Sequence, residues 1–468
     1  MTIEAGRIRR LNEAEPNPKG RYVLYLMQQS MRARFNPALE RAVAEANRLD
    51  LPVVVCFGLL DGSNGFPEAN ARHYAFLLEG LRDAAGHLAE RGIAFVLRKA
   101  SPAAVAVDLA RDAALLVLDR GYLAIQKRWY GEIADAVSVA LVQVEGDVVV
   151  PVDIASDKHE HAARTLRPKI RRHLGDFLEP VRAVKVKHPA TRLGLKSEIE
   201  IGDPAAVLAG MVLDRTVGPV KRFTGGENAA RTRLKAFVGD ALSRYGAERG
   251  RPEAGAASHF SPYLHFGQIS PVEIALAVRA AKSGTAEDKD AFIEELVVRR
   301  ELAANHVHHT PGYDRFATAV PDWARKALAD HAKDERPHRY SEEDLAEGRT
   351  HDRYWNVAMA EMRVTGFMHN HLRMYWGKKI LEWSPSAEEG FARTLRLNNR
   401  YFLDGRDMNS FTNVAWVYGL HDRPWARRPI FGTVRYQSEN SLRKIDAKAY
   451  ERDVTRLCAA EGVTDLRF

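Results

Sequence analysis

Five segments in the second half of the chain hold residue types that do chemistry. The first is Ser258-His259-Phe260-Ser261-Pro262-Tyr263. Serine before proline suits a helix start, with Ser261 as N-cap and Pro262 at the first helical position. Such a start offers free N–H groups and a positive dipole end to a phosphate, or it is a plain capped helix. The second, from Phe292 to Leu302, is apolar with charges embedded in it, and Glu295 and Arg299 stand four apart on one helical face. They form either a surface ion pair or a carboxylate and a guanidinium lining a cavity. The third runs from Trp355 through Met368-His369-Asn370-His371-Leu372-Arg373-Met374-Tyr375-Trp376 to Trp383. On a helix, Trp376 and Trp383 lie roughly 10.5 Å apart along the axis on nearly one face, as core aromatics or as redox stepping stones. The fourth, Leu397 to Asp407, ends in Asp404-Gly405-Arg406-Asp407, a turn signal. The fifth joins Trp416 to His421-Asp422-Arg423-Pro424-Trp425 and Arg435-Tyr436. Arginines interleaved with aromatics suit nucleic acid, because rings stack on bases and guanidiniums pair with phosphates; a solvated basic face reads the same way.

These segments lie where the pattern is helical. The periodicity predicts helices over Ala229–Arg244, Pro271–Lys282, Asp288–His306, Asp352–Trp383 and Ala387–Asn399, with almost no strands after Val220. The first third alternates instead. Tyr22–Met27, Leu51–Leu60, Ile93–Arg98, Ala114–Asp119 and Val139–Val152 read as strands, separated by helices over Ala38–Leu49, Ala69–Arg91, Pro102–Ala113 and Ile125–Val137. That alternation predicts a parallel sheet covered on both faces, with a ligand at the carboxyl ends of its strands. No glycine-rich dinucleotide fingerprint and no P-loop occurs, so the ligand has an address without an identity. The expected organisation is an α/β domain over residues 1–175, a polar linker over 176–218 and an all-α domain over 219–468. The all-α part holds six of the seven tryptophans; Trp129 is the exception.

Composition excludes several classes. With 468 residues, 46% hydrophobic and 28% charged, the chain is neither disordered nor collagen-like. Two cysteines, Cys56 and Cys458, cannot build a disulfide framework or a cysteine-rich zinc site. Met1–Leu11 lacks an apolar core for a signal peptide, and Leu51–Leu60 is too short to span a membrane, so a cytoplasmic location is expected. A net charge of +8 is compatible with a polyanionic partner or with a basic enzyme acting on a small substrate.

Together and in order, these segments resemble the class II cyclobutane pyrimidine dimer photolyases of the cryptochrome/photolyase superfamily. The resemblance covers nearly the whole chain. It includes Pro67-Glu68-Ala69-Asn70 with Arg72-His73-Tyr74, and Ala163-Arg164-Thr165 with Arg167-Pro168-Lys169-Ile170. It continues through Ser261–Gly267, Glu294–Leu302, Met374–Trp383, Leu403–Asp407 and Arg435-Tyr436.

The resemblance implies a Rossmann-like antenna domain followed by a helical domain that binds FAD, active as FADH⁻. Ser258 and Ser261 match the loop at the FAD phosphates, and Arg373 and Asp404 the Arg–Asp pair beside the flavin ring. Asn398 matches the asparagine facing flavin N5. Asn370 matches a flavin contact of class I photolyases, where many class II enzymes carry glycine, and Phe223 stands at the position of a tyrosine contact. The implied reaction is light-driven transfer of one electron from FADH⁻ to a flipped-out dimer in UV-damaged DNA, splitting of the cyclobutane ring and return of the electron. Glu295 and Met374 match residues that act on the lesion, with Trp416 in the wall around it. Arg249, Arg299, Arg423 and Arg435 match positions facing DNA. Trp355, Trp376 and Trp383 match the tryptophan chain that reduces oxidised FAD under light. A deazaflavin-type antenna in the first domain, a monomeric state and no membrane association are further expectations. The rival reading is a flavin-based cryptochrome-type blue-light receptor without repair. Asn398, Glu295 and Met374 favour repair. A (6-4) photolyase and a nucleotide-activating α/β enzyme fit less well, the latter for want of a phosphate-binding loop.

Overall fold

The computed structural model describes residues 3–62, 68–190, 193–466 and 468, so Pro67 of the Pro67–Asn70 motif lies outside the described residues. The first part of the chain is organised by strands β1 (Ile8–Arg10), β2 (Tyr22–Leu26), β3 (Val53–Gly58), β4 (Ala94–Arg98), β5 (Ala113–Asp119) and β6 (Ala140–Val144). They form one sheet in the order β1-β6-β5-β2-β3-β4. β2 to β6 pair in parallel, as the alternation predicts, and β1 adds an antiparallel edge on β6. The sequence reading missed β1, because Ile8-Arg9-Arg10 is too short and too charged to carry an apolar signal.

Side chains alternate across the sheet and both faces are covered. Tyr22, Leu24 and Leu26 of β2 pack toward the helices Pro102–Ala110 and Ala124–Ala136. Val23 and Tyr25 pack toward Pro37–Leu49 and Ala71–Glu90. Double burial is why these strands read as unbroken apolar runs. In the stretch expected as a linker, Asp203 caps a short helix, Pro204–Ala209.

The helical part departs from the expected boundaries at two places that matter. The single helix expected over Asp352–Trp383 is two, Arg353–Thr365 and Asn370–Trp383. Gly366, at φ 73°, ends the first in the left-handed conformation, with its N–H on the Met362 carbonyl. Glycine takes that conformation without a Cβ clash, and the apolar Phe367 and Met368 hide the break in the sequence pattern. The helix expected over Asp288–His306 is Ala286–Ile293, a π-helical turn Glu294–Arg299, then Arg300–His309.

Arg72 and His73, on the Ala71–Glu90 helix, join the two parts. Arg72 donates to the carbonyls of Gly218, Met362, Arg363 and Tyr401, and His73 Nε2 lies 2.9 Å from the Phe402 carbonyl. The carbonyls near the ends of Arg353–Thr365 and Ala387–Tyr401 thus find donors across the domain boundary. Burial lowers the Arg72 pKa to about 10 and holds His73 well below the ordinary histidine range.

Candidate functional site

Five of the six expected cofactor residues fall into two patches of the helical part. Arg373 Nη1 donates to Asp404 Oδ1 at 3.0 Å, and its Nε donates to the Met368 carbonyl at 2.8 Å. Its guanidinium carbon lies 3.8 Å from the centre of the Phe402 ring. Asn398 is buried beside this pair. A Cβ on Gly405 would fall 2.9 Å from the Asn398 carbonyl oxygen, so the Asp404-Gly405 turn needs glycine to lie against it. Asn398 Nδ2 donates to Asn399 Oδ1 at 3.1 Å. Asn370, at the start of the Asn370–Trp383 helix, is exposed, and Met374 is half-buried.

The second patch surrounds Ser258 and Ser261. Phe223 is buried with its ring centre 6.2 Å from His259 and 6.1 Å from Phe367. Arg222 lies 4.8 Å over Phe367 and Arg233 5.3 Å over Phe223. His259 has φ 56°, and burial, followed by Arg222, Arg233 and Arg373, holds it well below the ordinary histidine range. It is therefore neutral amid three guanidiniums. His259 Nδ1 and Arg233 Nε are buried without a hydrogen-bond partner.

The capping expectation for Ser261 fails. Ser261 is the first residue of a five-residue helix, Ser261–His265, and Phe260 occupies the cap position without a side-chain bond. So short a helix aligns little dipole. The nearby guanidiniums are Arg233 and Arg222, the latter paired with Glu361 at 2.9 Å, and sequence reasoning missed both because lone arginines carry no motif.

The tryptophans form a contact chain. Trp376 and Trp355 stack at 6.4 Å between ring centres with 10° between planes, and Trp355 meets Trp383 at 5.5 Å. All three are 2% exposed or less. Trp376 also lies 6.1 Å from Phe402, the ring under Arg373, so one end of the chain begins at the Arg373–Asp404 patch. The other end meets half-buried Tyr340 at 5.2 Å, whose hydroxyl is 2.6 Å from His351 Nδ1. Trp355 stands between the two tryptophans that are seven apart, because the Gly366 break folds its helix back against theirs.

The expected Glu295–Arg299 pair is not formed. The i→i+5 bonding of the π turn sets Glu294 opposite Arg299, at 3.4 Å, rather than Glu295. Glu294 also takes two bonds from Arg167, and Glu295 pairs with Arg249 at 2.9 Å. Both Glu295 and Arg249 side chains are about two-fifths exposed, at 41% and 40%.

A basic and aromatic strip follows. Arg435 lies 5.5 Å over Trp416 and 4.3 Å over Trp425 while donating twice to Asp422, and Arg423 lies 5.4 Å over Trp425. Lys378, fully buried, donates to the Val417 carbonyl and lies 5.6 Å from the Trp416 ring. Burial lowers its pKa to about 7.

A separate cavity opens at the carboxyl ends of β2, β3 and β5, where a doubly covered parallel sheet is expected to bind a ligand. Phe57, Tyr74, Tyr122 and Trp129 give it aromatic walls, and Arg406 and Asp407 reach it from the helical part. Sequence reasoning placed no residues there.

A mostly parallel α/β sheet joined to a helical body, with a buried tryptophan chain starting beside an Arg–Asp pair, is the arrangement to be matched against known proteins. The DNA photolyase family model matches residues 23–187. The deoxyribodipyrimidine photo-lyase of Methanothermobacter thermautotrophicus is 46% identical over 443 residues, which cover 94% of this chain and 96% of that protein. The protein of the same name from Potorous tridactylus is 37% identical over 438 residues, 92% of this chain and 81% of its own length. A class III photolyase from Agrobacterium tumefaciens shares the fold with a TM-score of 0.71 at 20% identity, over 94% of this chain and 87% of its own. The chain belongs to the deoxyribodipyrimidine photo-lyases, the DNA-repair enzymes its sequence resembles.

Proposed function

We propose that this photolyase binds FAD in the helical part, active as FADH⁻, and splits cyclobutane pyrimidine dimers in UV-damaged DNA. One observation carries the reading: a buried Trp376–Trp355–Trp383 chain starts, through Phe402, beside the Arg373–Asp404 pair. The residues fit such a cofactor, since His259 Nδ1 and Arg233 Nε are unpartnered and the surrounding guanidiniums match a diphosphate. A reduced flavin held there supplies one-electron donation under blue light.

The chain's own residues do the rest. Ser258, Ser261, Arg222 and Arg233 hold the phosphates, and Phe223 and Asn370 border the cofactor. Arg373, fixed by Asp404, and Asn398 set the charge beside the flavin ring and favour its reduced anionic form. Trp376, Trp355 and Trp383 conduct an electron inward when the cofactor is oxidised. Glu295 accepts a hydrogen bond from the lesion bases and stabilises the charge that develops there, against walls made by Met374 and Trp416. Its pair with Arg249 is solvent-exposed and worth at most about 1 kcal/mol, so the lesion displaces it readily. Arg249, Arg299, Arg423 and Arg435 hold the backbone of DNA from which the dimer has been turned out. The cavity of the first domain, walled by Trp129, Phe57 and Tyr122, takes a flat antenna chromophore of the deazaflavin kind. The protein works as a monomer. Among the described residues no helix is long and apolar enough to cross a membrane.

The test is an absorption spectrum of the purified protein, then blue light with a thymine-dimer oligonucleotide. Flavin bands with light-dependent loss of the dimer support the reading. Flavin bands with no repair after full chemical reduction would replace it with the blue-light receptor.

A further inference from the structure

Three histidines far apart in sequence meet where the first part of the chain touches the helical part. His159 lies in the loop before the Ala163–Phe177 helix, His306 on the Arg300–His309 helix, and His421 in the turn after Met408–Val417. One ring nitrogen from each lies within 4.8 Å of the other two. The ring centres are 5.1, 5.8 and 5.8 Å apart, so the rings surround a common point. His159 Nε2 and His306 Nδ1 are 3.2 Å apart. Two imidazole nitrogens, each about 2.0–2.1 Å from a tetrahedral zinc ion, stand at about this separation.

The cluster is held in place by other groups. Asn305, beside His306, accepts from the Glu160 N–H at 2.7 Å and donates to the Lys158 carbonyl at 2.9 Å. These bonds clamp the backbone on both sides of His159 against the helix. Ser156 and Lys169 hold the Glu160 carboxylate. His421 has φ 58°, an uncommon conformation for a side chain of its size.

Part of the polar capacity is unspent. His306 is 0% exposed, and its Nε2 has no hydrogen-bond partner, while its Nδ1 faces His159 and, at 3.3 Å, the Thr310 hydroxyl; His421 faces the His161 backbone. His159 is exposed, which leaves the cluster open to solvent on one side.

We propose that His159, His306 and His421 bind one divalent transition-metal ion of the zinc class, with water completing a tetrahedral shell. Nitrogen ligands in this number and geometry suit zinc and exclude calcium and magnesium, which take oxygen. Bound there, the ion ties the loop before the Ala163–Phe177 helix to the helical core. It also ties both to the turn that carries Asp422 and Arg423. Its role is structural, and no step of the light reaction uses it.

The test uses full-length untagged protein carrying its flavin, titrated calorimetrically with zinc chloride in a non-coordinating buffer after dialysis against a chelator. The proposal expects one zinc per chain, with binding weakened roughly tenfold or more in both His159→Gln and His306→Gln. His188→Gln, whose histidine pairs with Asp50 away from the cluster, keeps wild-type affinity. Because His159 is exposed, its variant tests the site without disturbing a core, and its flavin absorbance reports that it is folded. No saturable zinc uptake by the wild type would overturn the proposal. So would wild-type affinity in both variants.

Discussion

Lys378 offers a direct measure of how the helical part packs around Trp416. It is 1% exposed, on the Asn370–Trp383 helix, with its ammonium against the Val417 carbonyl and the Trp416 ring. Burial lowers its pKa from 10.5 to about 7; Asp422 opposes that shift and Arg435 adds to it. The unfolded chain therefore binds more protons than the folded one between pH 7 and 10.5, and stability from this group rises with pH across that window. Below pH 7 both states hold the proton, and the folded state carries the full cost of a buried ammonium. Between pH 6 and pH 9 the lysine alone adds about 2–3 kcal/mol to wild-type stability. Lys378→Met keeps the packing volume, removes that dependence and leaves the Val417 carbonyl without its donor at a pH-independent cost of about 1–3 kcal/mol. The variant is thus expected to gain about 2–3 kcal/mol relative to wild type on going from pH 9 to pH 6. Urea unfolding followed by tryptophan fluorescence reads the helical part, which holds six of the seven tryptophans. Asp119, raised to about 6, and Glu301, raised to about 8, titrate in the same range, but alike in both proteins, so they cancel in the difference. An identical stability difference at pH 6 and pH 9 would refute the buried, deprotonating lysine.

Three further predictions concern the pocket and the domain joint. Trp383→Phe is expected to abolish photoreduction of oxidised flavin, read as bleaching under blue light, while chemically reduced enzyme still repairs; lost repair under reduction would show that the two functions are not separate. Glu295→Ala is expected to slow dimer splitting in a single-turnover flash assay with flavin content unchanged, and an unaltered rate would remove Glu295 from the lesion site. Arg72→Met takes the donor from carbonyls on two helices and one loop, and should cost about 2–4 kcal/mol in urea unfolding; a loss under about 0.5 kcal/mol would mean water replaces the guanidinium.

The parallel sheet was legible because its strands are buried on both faces, and that burial forces apolar runs. Its antiparallel edge was not, since β1 is three residues long and partly exposed. The helices were legible as periodic stretches, but their interruptions were not. Gly366 sits in an apolar context that continues the pattern, and the π turn over Glu294–Arg299 changes no residue type at all. That turn decides which carboxylate faces Arg299, so counting four residues selected the wrong partner. The tryptophan chain could be read as spacing, whereas its order through Trp355 depends on the fold-back at Gly366. Arg222, Arg233 and the first-domain cavity had no local signature, because each is assembled from residues distant in sequence.

The Asn370–Trp383 helix shows how one element serves both halves of the chemistry. At about 100° per residue, Arg373, Trp376, Ile380 and Trp383 fall within a sector of roughly 80°, and Met374, Lys378 and Leu381 fall in another, roughly 80° or more away from Arg373. Trp376, Ile380 and Trp383 pack with Trp355 and Phe402 in one core. Leu381 packs in a different core with Val417 and Trp416 along its edge, where Lys378 also points. The tryptophan chain and the packing around Trp416 thus lie on different faces of one rigid rod. Gly377 lies between Trp376 and Lys378, and a Cβ there would come within 2.8 Å of Val417 Cγ2. Valine is stiff about χ1 and does not easily swing aside, so glycine is what lets the Met408–Val417 helix approach closely enough to place Trp416. Close approach on one face and tryptophan stacking on the other are therefore set by the same three-residue stretch, Trp376 to Lys378.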